Sequence, residues 1–273
     1  GGAGTTWNLA LYGACSIQSV DVQGSYCYGT VSLPINPSSS VDSGDNTNWF
    51  PAAAGIWYDD AWTRRMTITV DSSGVAETVS NFPVYLNLDD IPDEHDFWTR
   101  VQSDGGDIVI TTDDMVSRLP VEVVSIDTVN KKGEVWFRAG LSGSEDTVFY
   151  LYYSNDGVEQ PVAGDTYGRN NVWSNGYVAV WHLQESGNGT AGEFVDSTGN
   201  GNDGTGGGAG ATPAQWNGQL GNAQYFDPDT GGVDYIDCGA ATTAAGVNKS
   251  FTAFTLQGWA RYDDGDDGAI VAN

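Results

Sequence analysis

From Trp62 onward, apolar and polar positions alternate with a period of two. Met66, Ile68 and Val70 alternate with Arg65, Thr67 and Thr69, and Phe82, Val84, Leu86 and Leu88 alternate with Pro83, Tyr85 and Asn87. A two-residue period puts one face of a strand on a core and the other toward water. Further strands are expected over 107–112, 119–127, 133–139 and 147–154, separated by Asp-Gly-Gly, Asn-Lys-Lys-Gly and Ser-Gly-Ser turn signals. Short strands at regular spacing, without a helical period, predict an antiparallel β-sandwich over 61–173. A second alternating run, 178–183, precedes a glycine- and oxygen-rich stretch, 196–205, and apolar segments follow at 223–227, 234–239 and 250–261. These predict a second sandwich over 174–273. It reads as incomplete, because a strand opens at 269–273 directly after the turn 263–268. Residues 1–60 alternate only weakly, at 23–33, between polar stretches such as 36–40 and 42–48. They predict a β-rich arm that leans on another body or adds a strand to a sheet edge. The expected fold class is therefore all-β: tandem antiparallel β-sandwiches with an N-terminal arm.

Composition sharpens this picture. The 273 residues include 37 Gly and 10 Trp, which suits many strands joined by turns, with indoles in cores or on binding surfaces. The formal charge is -26, and Asp outnumbers Glu 28 to 8. Such a surface repels nucleic acid and anionic membranes, so neither is an expected partner. Short carboxylates in turns suit calcium, and they suit a solvated acidic surface equally well. No apolar run approaches the roughly 18 residues of a membrane span. Cys15 and Cys27, 12 positions apart, fit a local disulfide and with it an oxidising compartment, whereas Cys238 reads as a buried thiol. With only two histidines and no Cys-x-x-Cys pair, a zinc site is not expected. Two sequons, at Asn188 and Asn248, are candidate glycosylation sites.

Two stretches resemble known families. Trp62-Thr63-Arg64-Arg65, Asn81-Phe82-Pro83-Val84, the run from Gln102 to Thr111, Leu119-Pro120-Val121-Glu122 and the run from Val148 to Asn155 together resemble the bacterial and archaeal domain of unknown function 2341, over about 62–172. The segment Val180-Trp181-His182-Leu183, the loop from Asp196 to Thr205 and the blocks at 223–227, 234–239 and 250–261 resemble the laminin-G-like, concanavalin-A-like lectin domains of microbial surface proteins. The second resemblance implies a jelly-roll sandwich that recognises a ligand and seldom catalyses. Together the two imply a secreted or cell-surface protein. Concanavalin-like sandwiches also host glycoside hydrolases, and the related glucanases carry Glu-x-Asp-x-Glu or a close variant on one strand. No such string is present here.

The candidate chemistry follows. Calcium takes six to eight oxygens, for which Asp196, Asn200, Asn202, Asp203, Asp227, Asp234 and Asp237 are the candidates. The alternative for the same loop is a set of Asx turns without an ion. Asp104, Asp107, Asp113 and Asp114 read better as turn formers than as a second cation site. Sugar binding needs an exposed aromatic face, and Trp216, flanked by Gln, Asn and Gly, is the surface candidate. Trp181 and Trp259 are assigned to the core, and His182 to a satisfied core or edge position. No nucleophile elbow, phosphate loop or nucleotide fingerprint occurs. The expectation is a non-enzymatic, secreted or cell-surface adhesion protein that binds glycans or envelope polymers with calcium. The alternative is a structural subunit of an extracellular filament or surface layer, self-associating by strand exchange through the arm.

Overall fold

The computed structural model describes residues 7–11, 17, 19, 21–22, 25–29, 41–42, 57–208, 210–227, 233–238 and 252–261. The chain divides into two compact units, residues 1–57 and 58–273. In the first, β1 (Trp7–Leu11) pairs in parallel with β3 (Ser25–Gly29), and β2 (Asp21–Val22) pairs in parallel with β4 (Val41–Asp42). The strand expected within 23–33 is β3.

The second unit opens with a sandwich of two three-stranded antiparallel sheets. Its strands are β5 (Arg64–Val70), β6 (Val79–Asn87), β7 (Val109–Thr112), β8 (Val121–Asp127), β9 (Lys132–Leu141) and β10 (Thr147–Tyr153). One sheet has the order β5-β10-β7, the other β6-β9-β8. All six strands fall where the period-two pattern places them. Val135, Phe137, Ala139 and Leu141 of β9 point inward with Val84 and Val121, and meet Ile110, Phe149 and Leu151 of the opposite sheet. The Phe137 and Phe149 rings meet edge to face at 5.0 Å across the sandwich. The short helix α1 (Phe97–Arg100) closes one end by inserting Phe97 and Trp98 into the same core. Burial of these groups, at about 25 cal/mol per Å² of apolar surface, is the main force holding the sheets together. Phe82 is 46% exposed although it keeps the expected alternation: it pairs with Ala139 in the register that pairs Val84 with Phe137, and so shares their face. The register shifts just before it, between Val79 and Phe82, where Asn81 adopts φ 55.

Asp107, fully buried, ties the segment entering β7 to the end of β10. Its Oδ1 accepts from Gln102 N at 3.0 Å, and its Oδ2 accepts from Ser154 N at 2.6 Å and Asn155 N at 3.2 Å. Trp62 Nε1 donates to the Asp107 carbonyl at 2.6 Å, which accounts for a Trp ahead of β5. Gly105 adopts φ 68, and a Cβ on Gly106 would stand 2.6 Å from the Val158 carbonyl oxygen. Only the first of these glycines uses positive φ; the second is required by close approach. Asp104 and Asp114 accept from the backbone two or three residues on, as turn formers.

Beyond residue 173 the described strands are short: β11 (Thr205–Gly206), β12 (Ala214–Asn217), β13 (Asn222–Tyr225) and β14 (Ile236–Asp237). They form two antiparallel pairs, β12-β13 and β11-β14. The run 178–183 contributes only the bridge Trp181 to Asp196, not the expected strand. Its backbone is satisfied instead by side chains: Asp196 accepts from Val180 N, and Asn200 and Asn202 donate to the Val178 carbonyl. Trp181 is half-buried, its indole N–H donating to the Asn202 carbonyl at 2.9 Å. Trp259 is not in the core. It is 77% exposed, on a segment, 252–261, that pairs with no strand among the described residues. No described helix is long and apolar enough to cross a membrane.

Candidate functional site

The oxygen-rich loop is organised around Asp196. Its Oδ1 accepts from Val180 N at 3.0 Å and Thr198 N at 2.9 Å. Its Oδ2 accepts from Thr198 Oγ1 at 2.8 Å, Asn202 N at 3.0 Å and Asn202 Nδ2 at 3.3 Å. Asp203 Oδ1 accepts from Asp196 N, closing the loop on itself. Asn200 turns its amide away, to the Tyr177 and Val178 carbonyls. A carboxylate holding five donors acts as a turn-former. Of the other candidate ligands, Asp234 accepts from Asp227 N at 2.8 Å, and Asp237 lies in β14 opposite Thr205. Asp196 and Asp237 both act on the half-buried Cys238, which burial first, and these charges next, push up to about 11. Its thiol is therefore protonated at neutral pH. Among the described residues, no group of three His, Cys, Asp or Glu side chains is placed to hold a metal ion.

The most tightly connected polar cluster centres on His182. Glu122 of β8 and Glu134 of β9 lie on the face of their sheet opposite the apolar core, and both are buried, 5% and 3% exposed. His182 Nε2 faces Glu122 Oε2 at 3.1 Å, and Nδ1 faces Glu134 Oε1 at 3.4 Å. The remaining lone pairs are also engaged: Trp173 Nε1 and Ser197 Oγ donate to Glu122, each at 2.5 Å, while Trp136 Nε1 and Gln184 Nε2 donate to Glu134, each at 2.8 Å. Trp136 and Trp173 flank the imidazole, with ring centroids 6.0 Å and 5.7 Å away. Burial alone would lower the pKa of His182; the hydrogen bonds and charges of the two glutamates outweigh it and push it up to about 9. The imidazole is thus a cation at neutral pH, donating to both acids. Paired glycosidase carboxylates leave a gap for substrate between them. Here that gap is filled by a side chain of the protein itself.

This cluster positions an exposed aromatic surface. Gln184, held by Glu134, donates to the Leu220 carbonyl at 3.2 Å and accepts from Asn222 N at 2.8 Å. Gln215 donates to the Gln184 carbonyl, and Gln224 donates to the carbonyls of Leu183 and Glu185. The hairpin β12-β13 is therefore pinned to residues 183–185 from both strands. Its turn needs Gly221, at φ 58 and packed against the Gln184 amide. On the hairpin, Trp216 is 61% exposed and stands beside Tyr225, with ring centroids 5.7 Å apart. Trp216 thus lies at the surface, as its polar neighbours suggested; its companion Tyr225 and the anchoring residues Glu122, Glu134 and Gln184 carry no local signal. Asn188 is exposed, and its Oδ1 accepts from Thr190 N at 2.9 Å. Glu193 gathers the backbone N–H groups of Asn188, Gly189 and Gly206 there. Cys15, the side chain of Cys27 and Asn248 lie outside the described residues.

What the fold and site define is an all-β chain with a two-sheet sandwich, a buried ionic junction and an aromatic pair on a hairpin anchored by side-chain hydrogen bonds. Compared with protein-family models, curated proteins and solved structures, the chain matches none.

Proposed function

We infer that this chain is a non-enzymatic recognition protein of the cell surface or extracellular space, binding glycans through Trp216 and Tyr225. The observation that carries this reading is the exposed ring pair on a hairpin held in place from below. Pyranose rings stack on aromatic faces, and a surface fixed in advance binds with less ordering cost. The saturated state of Glu122 and Glu134 supports recognition over hydrolysis. The resemblance to laminin-G-like lectin domains supports the same assignment, as does a charge of -26, which disfavours nucleic acid. Calcium assistance belongs to the proposal through the short oxygen side chains from Asp196 to Asp237, and titration of the ion decides it. A glycan array probed with the full chain and with Trp216→Ala tests the reading: hits that disappear in the variant support it, and an array without hits for the parent chain rejects it.

A second reading, assembly into an extracellular filament or surface layer, is favoured by residues 252–261. There Phe254, Leu256 and Trp259 are all exposed. Clustered exposed apolar side chains commonly mark an interaction surface.

A further inference from the structure

Ten basic side chains share this molecule with 36 acidic ones. Two arginines line one open groove of about 280 Å³, between β9 and the segments 118–120 and 166–167, together with Asn81, Pro120, Thr166 and Tyr167. Neither Arg118 nor Arg138 forms an ion pair among the described residues. Arg64 and Arg100, by contrast, share Asp96, and Lys131 approaches Asp93. Arg118 lies over the Tyr167 ring, 5.0 Å from its centroid, and its Nη1 reaches only the Tyr58 hydroxyl, at 3.5 Å. Its Nε is buried and has no hydrogen-bond partner among the described residues. Arg138 donates to the Ser174 hydroxyl, a neutral group that leaves its charge uncompensated.

We propose that this groove binds the carboxylate of a sugar acid, held between the guanidinium groups of Arg118 and Arg138. A guanidinium presents donors in a planar fork that matches a carboxylate. The ring packed against Arg118 holds its plane fixed. Asn81 and Thr166 line the same groove with groups able to meet hydroxyls, and Pro120 supplies an apolar wall. The volume suits one small ring, not an extended chain. Across a surface of net charge -26, a monoanion meets weaker long-range repulsion than a dianion. The proposal rests on the glycan reading above for the sugar that bears the carboxylate, yet uses residues distinct from Trp216.

The test is calorimetric titration of the full chain with galacturonate, galactose, acetate and inorganic phosphate, accompanied by the Arg118 Nε–H resonance in NMR spectra. Galacturonate is expected to bind saturably and to shift that resonance, with galactose and phosphate at least tenfold weaker. Arg118→Gln and Arg138→Gln each weaken galacturonate at least tenfold, and Arg138→Lys, which keeps charge but loses the fork, falls between. No saturable binding, equal affinity in Arg138→Gln, or preference for phosphate would each overturn the proposal. Acetate binding as tightly as galacturonate would overturn the sugar assignment. Should galacturonate bind as expected while no neutral glycan depends on Trp216, the aromatic reading fails and this one stands. Arg138 is half-exposed, so its variants keep the experiment decisive even if Arg118→Gln fails to fold.

Discussion

His182 is the residue on which the second unit's polar packing converges. Its pKa is pushed up to about 9, above an ordinary value of 6.5. A group whose pKa is raised on folding adds stability that is fully present below its unfolded value and is lost as pH rises through the folded value. The difference corresponds to about 3 kcal/mol for the protonated form. The melting temperature is therefore expected to fall between pH 6.5 and about 9, and His182→Gln is expected to abolish this slope while lowering stability near neutrality. Calorimetric melting across that range checks it; a parent chain with a flat profile would show that Glu122 and Glu134 do not hold a charged imidazole. The cluster was not legible from the chain. Glu122 and His182 lie 60 positions apart, and nothing around either one announces the other. Trp216 was legible, because an indole among Gln, Asn and Gly has no apolar neighbours with which to share a core.

At the scale of elements, period-two alternation located β5 to β10, since each strand buries one face against the opposite sheet and the chain must alternate to do so. Where a strand's environment was set by distant side chains, alternation failed. The run 178–183 reads as a strand, yet Asp196, Asn200 and Asn202 satisfy part of its backbone in place of a neighbouring strand. Likewise the irregularity in β6 between Val79 and Phe82 includes Asn81 at φ 55, which Asn tolerates better than most residues but does not announce. The turn entering β7 is a different case, because its Gly and Asp residues were readable as turn chemistry while their long-range role was not. Asp107→Ala would leave the N–H groups of Gln102, Ser154 and Asn155 without their acceptor. An expected loss of about 3 kcal/mol in urea unfolding follows. A loss below about 0.5 kcal/mol would mean that the connection between β7 and β10 does not depend on this carboxylate.

For the whole molecule, the charge of -26 bears on association. Copies repel one another at low ionic strength, and salt screens this within a Debye length of about 10 Å at 0.1 M. If Phe254, Leu256 and Trp259 form a self-association surface, sedimentation velocity is expected to show larger species as salt is raised. A monomer at all salt concentrations removes the filament reading. The N-terminal unit, the two-sheet sandwich and the short strand pairs beyond residue 173 share an all-β character, while the candidate site rests on a few side chains whose arrangement only three dimensions disclose.

The central claim is that Trp216 and Tyr225 form a fixed, exposed surface for sugar rings. Its most direct measurement is calorimetric titration of an array-identified neutral oligosaccharide into the parent chain, Trp216→Ala and Tyr225→Ala, with and without calcium. The account predicts at least a tenfold loss of affinity in Trp216→Ala, about 1.4 kcal/mol or more, a smaller loss in Tyr225→Ala, and melting temperatures unchanged in both. Equal affinity for the parent chain and Trp216→Ala would contradict it.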